Sequence, residues 1–92
     1  VNWLAGVPAI VKPATVTCFL TEAVVAAIHD SGVLPPGALQ LVCGSARNIL
    51  DHVDERDVVT FTGSASTGIA LKQHPRISQH AVPFNMEADS LN

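Results

Sequence analysis

Three places in the chain carry residue types that suit chemistry. The first is Asp57–Gly68, DVVTFTGSASTG. Val58, Val59 and Phe61 give a strand its β-branched and aromatic bulk, with Thr60 and Thr62 alongside. Gly63 follows, where a chain leaving a strand often needs a positive φ or a bare backbone. Ser64 and Ser66 offer N-cap hydroxyls, and Gly68 falls in the first turns of the helix that follows. A strand that ends in glycine and opens a helix presents backbone N–H groups and the positive end of a helix dipole. That combination binds anions, phosphate above all. The pattern serves equally as a plain strand-to-helix turn, and residue types alone leave both readings open. It is neither the G-x-G-x-x-G dinucleotide fingerprint nor a Walker-type phosphate loop, which needs a lysine after its second glycine.

The second place is Lys12, at the C-terminal end of an apolar run. In open α/β sheets ligands bind at that edge, so this lysine can lie near a phosphate turn; taken alone it reads as a solvent-exposed lysine. The third is Glu87, with Phe84, Met86 and Ala88 around it. A carboxylate partly buried there would have a raised pKa, as a general base needs, whereas an ordinary exposed glutamate is the plain reading. Other chemistries find less support. The four histidines lack spacing of the H-E-x-x-H kind, so no metal is expected. Ser64 has no evident histidine partner for triad chemistry.

The elements that would position these residues alternate. Val7–Lys12 reads as a continuously apolar first strand, with Pro8 at its start and Pro13 stopping it. A helix is expected from about Thr17 to Ser31, with Thr15 or Thr17 as cap and Gly32 as the terminating residue. Its inward stripe is read as Leu20, Val24, Ala27 and Ile28. After the Pro35-Pro36-Gly37 turn comes a second strand, Leu39–Cys43. Ser45 is expected to cap a short helix over Ala46–Val53, with Ile49, Leu50 and Val53 inward. Asp51, Asp54, Glu55 and Asp57, offset by Arg47 and Arg56, read as a solvated loop. The third strand leads into a helix at about Ser66–Gln73, stopped by His74-Pro75. A last strand is expected at about Ala81–Phe84. Strands alternating with helices predict an α/β fold with a parallel sheet.

The chain has 92 residues, a net charge of -3 and only five lysines and arginines. That suits one small domain and argues against nucleic acid as a partner. No apolar run approaches a membrane span. Cys18 and Cys43 are expected to be free, buried thiols of a cytosolic protein. The sequence opens at Val1 without a methionine and stops at Asn92 after a polar run, so a piece of a longer protein is expected.

Four stretches in order, PAIVKPATVT, SGVLPPGALQLVCG, VVTFTGSASTG and NMEADSLN, resemble successive landmarks of the aldehyde dehydrogenase superfamily. The last replaces the more usual E-L-G-G. Within the superfamily the chain is most similar to bacterial semialdehyde dehydrogenases of CoA-linked aromatic degradation. The phenylacetate ring-cleavage type comes first and the benzoyl-CoA pathway type second. The resemblance implies a Rossmann-like parallel sheet with flanking helices, with residues 1–92 forming part of an NAD(P)-binding domain. It implies that Lys12 binds the adenosine ribose or a phosphate on it. It also implies that Ser64, beside Gly63, contacts the pyrophosphate, and that Glu87 activates water to hydrolyse a thioacyl intermediate. Many NAD-preferring relatives carry a glutamate three residues after the lysine. Here that residue is Thr15, which implies NADP as the preferred cofactor. The substrate implied is a small-molecule aldehyde, with CoA thioester semialdehydes among the candidates, and the parent enzyme is expected to be a cytoplasmic homo-oligomer. The family's nucleophilic cysteine would lie beyond Asn92 and its oxyanion asparagine before Val1, so the fragment alone is expected to be inactive. The competing reading is a stand-alone α/β binding module without catalysis.

Overall fold

The computed structural model describes residues 2–89, apart from the Arg47 side chain. Residues 90–92, the end of the last family-like stretch, lie outside the described residues. The chain divides into two compact units, residues 1–45 and 46–92.

In the first unit a short 3-10 helix at Trp3–Ala5 leads to β1, Ala9–Val11. A 3-10 turn at Thr15–Thr17 runs into α1, Cys18–Ser31, and the unit closes with β2, Leu39–Leu41. β1 and β2 pair in parallel, with Ala9 opposite Leu39 and Val11 opposite Leu41. Gly32 ends α1 in the left-handed region, at φ 69, with its N–H bonded back to the His29 carbonyl. This is the conformation glycine adopts without steric cost. Thr17 is the N-cap residue of α1, but its side chain makes no capping bond. The His29 imidazole Nε2 lies 2.9 Å from the Leu39 carbonyl oxygen and ties the helix end to β2.

The inward stripe of α1 differs from the expected one. Val25 is buried and Cys18, Thr21 and Ile28 are half-buried, while Leu20 and Val24 are exposed. The helix is apolar almost all round, so helical periodicity supports more than one face. The cysteines also differ. Both are free, but Cys18 is half-buried and Cys43 exposed, because β2 ends at Leu41 and leaves Cys43 outside the ladder.

The second unit holds α2, Arg47–Leu50, then β3, Val59–Gly63, and α3, Ala65–Lys72. It ends with α4, Pro75–Gln79, and β4, Phe84–Ala88. β3 and β4 pair in parallel from Val59 opposite Phe84 to Gly63 opposite Ala88. Leu50, Ile77 and Val82 form its core, with Val53, Val59, Leu71 and Phe84 packed against them. α2 is shorter than expected. Downstream of it Asp54 accepts from the Arg56 amide at 2.9 Å and Asp57 from the Asp54 amide at 3.0 Å. Such local side-chain bonds offer the backbone an alternative to helix.

The last strand lies further along than Ala81–Phe84, for two reasons. Pro75 stops α3 but also starts α4 at its first helical position, capped by the His74 side chain. Ala81 then takes a left-handed φ of 53, which breaks any strand there. Pairing begins only at Pro83, whose carbonyl accepts from the Val59 amide at 2.9 Å. Glu87 therefore sits within β4 rather than after a strand. Among the described residues no helix is long and apolar enough to cross a membrane.

Candidate functional site

The C-terminal ends of β3 and β4 lie side by side, and α3 starts from one of them. Strand alternation sorts the side chains. Phe61 and Met86 lie towards α3, where both would meet a side chain placed at Gly68. Thr60 and Thr62 of β3, and Asn85 and Glu87 of β4, fall at the alternate positions and are exposed. Thr62 and Glu87 are register partners, so the glutamate stands one step before the Gly63–Ala88 pair that closes the ladder.

The turn after β3 has the expected cap. Ser64 is the N-cap of α3 with an extended backbone, and its hydroxyl accepts from the Thr67 amide at 3.3 Å. It also donates to the Thr67 hydroxyl at 2.8 Å and lies 3.3 Å from that of Ser66. Gly63 is needed for close approach rather than for φ. A Cβ there would stand 2.6 Å from the Phe61 ring.

Asp89, which the sequence reading did not single out, closes the ladder between the two strands. Its amide donates to the Gly63 carbonyl at 3.2 Å, and its carboxylate accepts from the Ala65 amide at 3.1 Å. The signal available in the sequence was an aspartate directly after a strand. Aspartate tolerates the left-handed region and bonds nearby backbone, and Asp89 has φ 52.

This end of α3 has the parts to hold an anion: an exposed turn, a ring of hydroxyls and a helix dipole. Two of its donors are already engaged, the Ala65 amide by the Asp89 carboxylate and the Ser64 hydroxyl by that of Thr67. Glu87 is exposed rather than partly buried as expected. Gly63, Ser64 and Glu87 thus come together in the second unit. Lys12, just past β1, and Thr15, opening the 3-10 turn before α1, are exposed residues of the first. Among the described residues no group of three or more histidines, cysteines or acids is arranged to hold a metal.

The Aldehyde dehydrogenase family model matches residues 2–92. The chain is 53% identical over 89 residues to a 3,4-dehydroadipyl-CoA semialdehyde dehydrogenase of Aromatoleum evansii, covering 97% of this chain and 17% of that protein. It is 40% identical over 72 residues to an N-succinylglutamate 5-semialdehyde dehydrogenase of Escherichia coli, covering 76% of this chain and 14% of the relative. Against the enzyme of that name from Enterobacter sp. (strain 638) the identity is 43% over 70 residues, or 74% and 14% of the two chains. The chain thus spans less than a fifth of the length of these relatives.

Proposed function

The chain belongs to the aldehyde dehydrogenase family, and on that premise we propose that it supplies part of the cofactor-binding domain and the general base of an NAD(P)-dependent semialdehyde dehydrogenase. The observation that supports this best is the β3–β4 register. It sets Glu87 beside Thr62, one residue before the turn that opens α3. A base and an anion-binding turn at one edge of a parallel pair suit a reaction between a dinucleotide and a bound substrate.

Ser64 contacts the pyrophosphate of the dinucleotide at the start of α3, with Gly63 keeping the turn close. Lys12 and Thr15 meet the adenosine ribose, and the absence of a carboxylate at Thr15 favours NADP. The nicotinamide, when bound, accepts the hydride taken from the substrate. Glu87 acts afterwards. It takes a proton from water as the water oxygen bonds to the thioacyl carbon, and the cysteine sulfur leaves as thiolate. That cysteine is not Cys18, within α1, or Cys43, after β2; it belongs to sequence outside this chain. The substrate class is a semialdehyde carried on CoA, as in the name of the Aromatoleum relative. The aromatic-degradation setting, and within it the phenylacetate branch, rests on the motif resemblance.

The test is Glu87→Gln in the full-length protein that carries this chain. Rapid mixing with a CoA-linked semialdehyde should still give a burst of reduced cofactor. Steady-state turnover should fall about 100-fold or more, as expected for loss of a general base. Loss of the burst together with turnover would show that Glu87 acts before hydrolysis.

A further inference from the structure

Glu87 is exposed at the edge of a two-stranded pair, so something must set where its strand stops. We propose that Asp89 is the positioning residue that does so, clamping the end of β4 to the Gly63–Ser64 turn and to the first amide of α3. The inference rests on Glu87 being the base, as proposed above, and adds what holds it in place.

Three observations carry it. Asp89 is in the left-handed region at φ 52, which aspartate adopts when its side chain bonds nearby backbone. Its amide is spent on the Gly63 carbonyl, 3.2 Å away, the bond that closes the Gly63–Ala88 pair of the parallel ladder. Its carboxylate takes the Ala65 amide at 3.1 Å, one of the donors that a helix start leaves without an intrahelical partner. The residue therefore holds the strand that carries Glu87, the turn that carries Ser64, and the helix behind both. Losing the clamp frees Ala88 and Asp89 behind Glu87 and lets the base move relative to the cofactor turn.

Four variants of the full-length protein test this. Asp89→Gly keeps the left-handed backbone and removes the carboxylate. Asp89→Asn keeps both the backbone tolerance and an acceptor oxygen. Ala65→Pro removes the donor without touching Asp89. Proline suits the first helical position, and Ser64 already has the extended backbone a following proline requires, at ψ 145. Glu87→Gln is the reference. Asp89→Gly and Ala65→Pro should keep the burst of reduced cofactor within about threefold and slow hydrolysis about tenfold. Asp89→Asn should restore hydrolysis to near wild type. Amide exchange in the peptide covering Ser66–Gly68 should quicken in Asp89→Gly and not in Asp89→Asn.

The proposal is overturned if Asp89→Gly and Ala65→Pro hydrolyse at the wild-type rate. It is equally overturned if both lose burst and turnover in parallel, or if Asp89→Asn is as slow as Asp89→Gly. Should Asp89→Gly fail to fold, Ala65→Pro decides alone. If Glu87→Gln itself hydrolyses normally, the reading of Glu87 fails first, and the exchange data still report whether the clamp exists.

Discussion

The Arg56 side chain donates to both carboxylate oxygens of Asp54, at 2.6 and 3.1 Å, and its amide adds a third bond at 2.9 Å. These bonds pull the Asp54 carboxyl from 3.8 down to about 2. A depressed carboxylate pKa stabilises the fold above the ordinary value, and that stability is lost as pH falls through the depressed one. Removing Arg56 should therefore matter at pH 5 and progressively less as pH falls from about 4 towards 2. Urea unfolding of wild type and Arg56→Gln across that range checks this: the gap should narrow between about pH 4 and 2. The pair is solvent-exposed, so the gap at pH 5 should also shrink with salt. A gap that stays constant over the range would show that Arg56 acts by packing. Thr15 carries a second residue-scale prediction. A carboxylate there would oppose a 2′-phosphate, and one charge pair at about 4 Å is worth roughly 1 kcal/mol in water and 4 at an effective dielectric of 20. Thr15→Glu in the full-length protein should raise the Michaelis constant for NADP about tenfold or more over that for NAD. Equal effects on both cofactors would place the selectivity elsewhere. At this scale the sequence was legible where a residue acts on its own neighbours: Ser64 caps α3 as its type and position indicate. Asp89 went unseen because its partner amide at Ala65 is 24 residues away.

Gly68 decides how closely α3 lies on its strands. It is buried, and a Cβ there would collide with Met86 and stand 3.2 Å from the Phe61 ring. Valine brings two methyls and a stiff χ1, so it cannot turn away from the contact. Gly68→Val should cost about 1–3 kcal/mol by overpacking. Adding Met86→Ala should return most of that loss, because the two changes share one space. Thermal or urea unfolding of the single and double variants is the check, and strict additivity would refute the contact. Element types were readable from caps and prolines, but several boundaries were not. Pro75 looked like a stop and is also a start. The stripe on α1 was misread because Phe19, Leu20 and Val24 are as apolar as the residues that face inward. Periodicity reports that a face is apolar, while tertiary packing chooses which one is used.

Taken whole, the chain carries much apolar surface. Phe19 is 72% exposed, Leu20 60% and Val24 52%, all on α1, and Leu4 and Val16 are more open still. Exposed apolar surface of this kind marks an interaction site or an aggregation hazard. The 92-residue chain made alone should therefore self-associate, as light scattering would report, and Phe19→Ser with Leu20→Ser should reduce this. It should also give no reduced cofactor from a semialdehyde, since it lacks the nucleophile proposed above. Turnover that vanishes with Glu87→Gln would contradict that. The α/β class and parallel pairing were readable from the alternation of strands and helices. The division into two units was not, because a strand's sequence names its type and not its neighbour.

The bond from Ala65 to Asp89 spans 24 residues, and between them lie α3, α4, β4 and their connections. A contact at this separation can close only after the chain between its ends has been made, and its loop-closure cost grows slowly with length. On a ribosome, β3 and α3 would emerge first and wait for β4. Glu87 would then take its place only as the last strand of the unit docks, with Asp89 closing behind it. The carboxylate is thus created as a site by the final local folding step, and a chain stalled before Asp89 would carry every upstream residue of the turn without an assembled base.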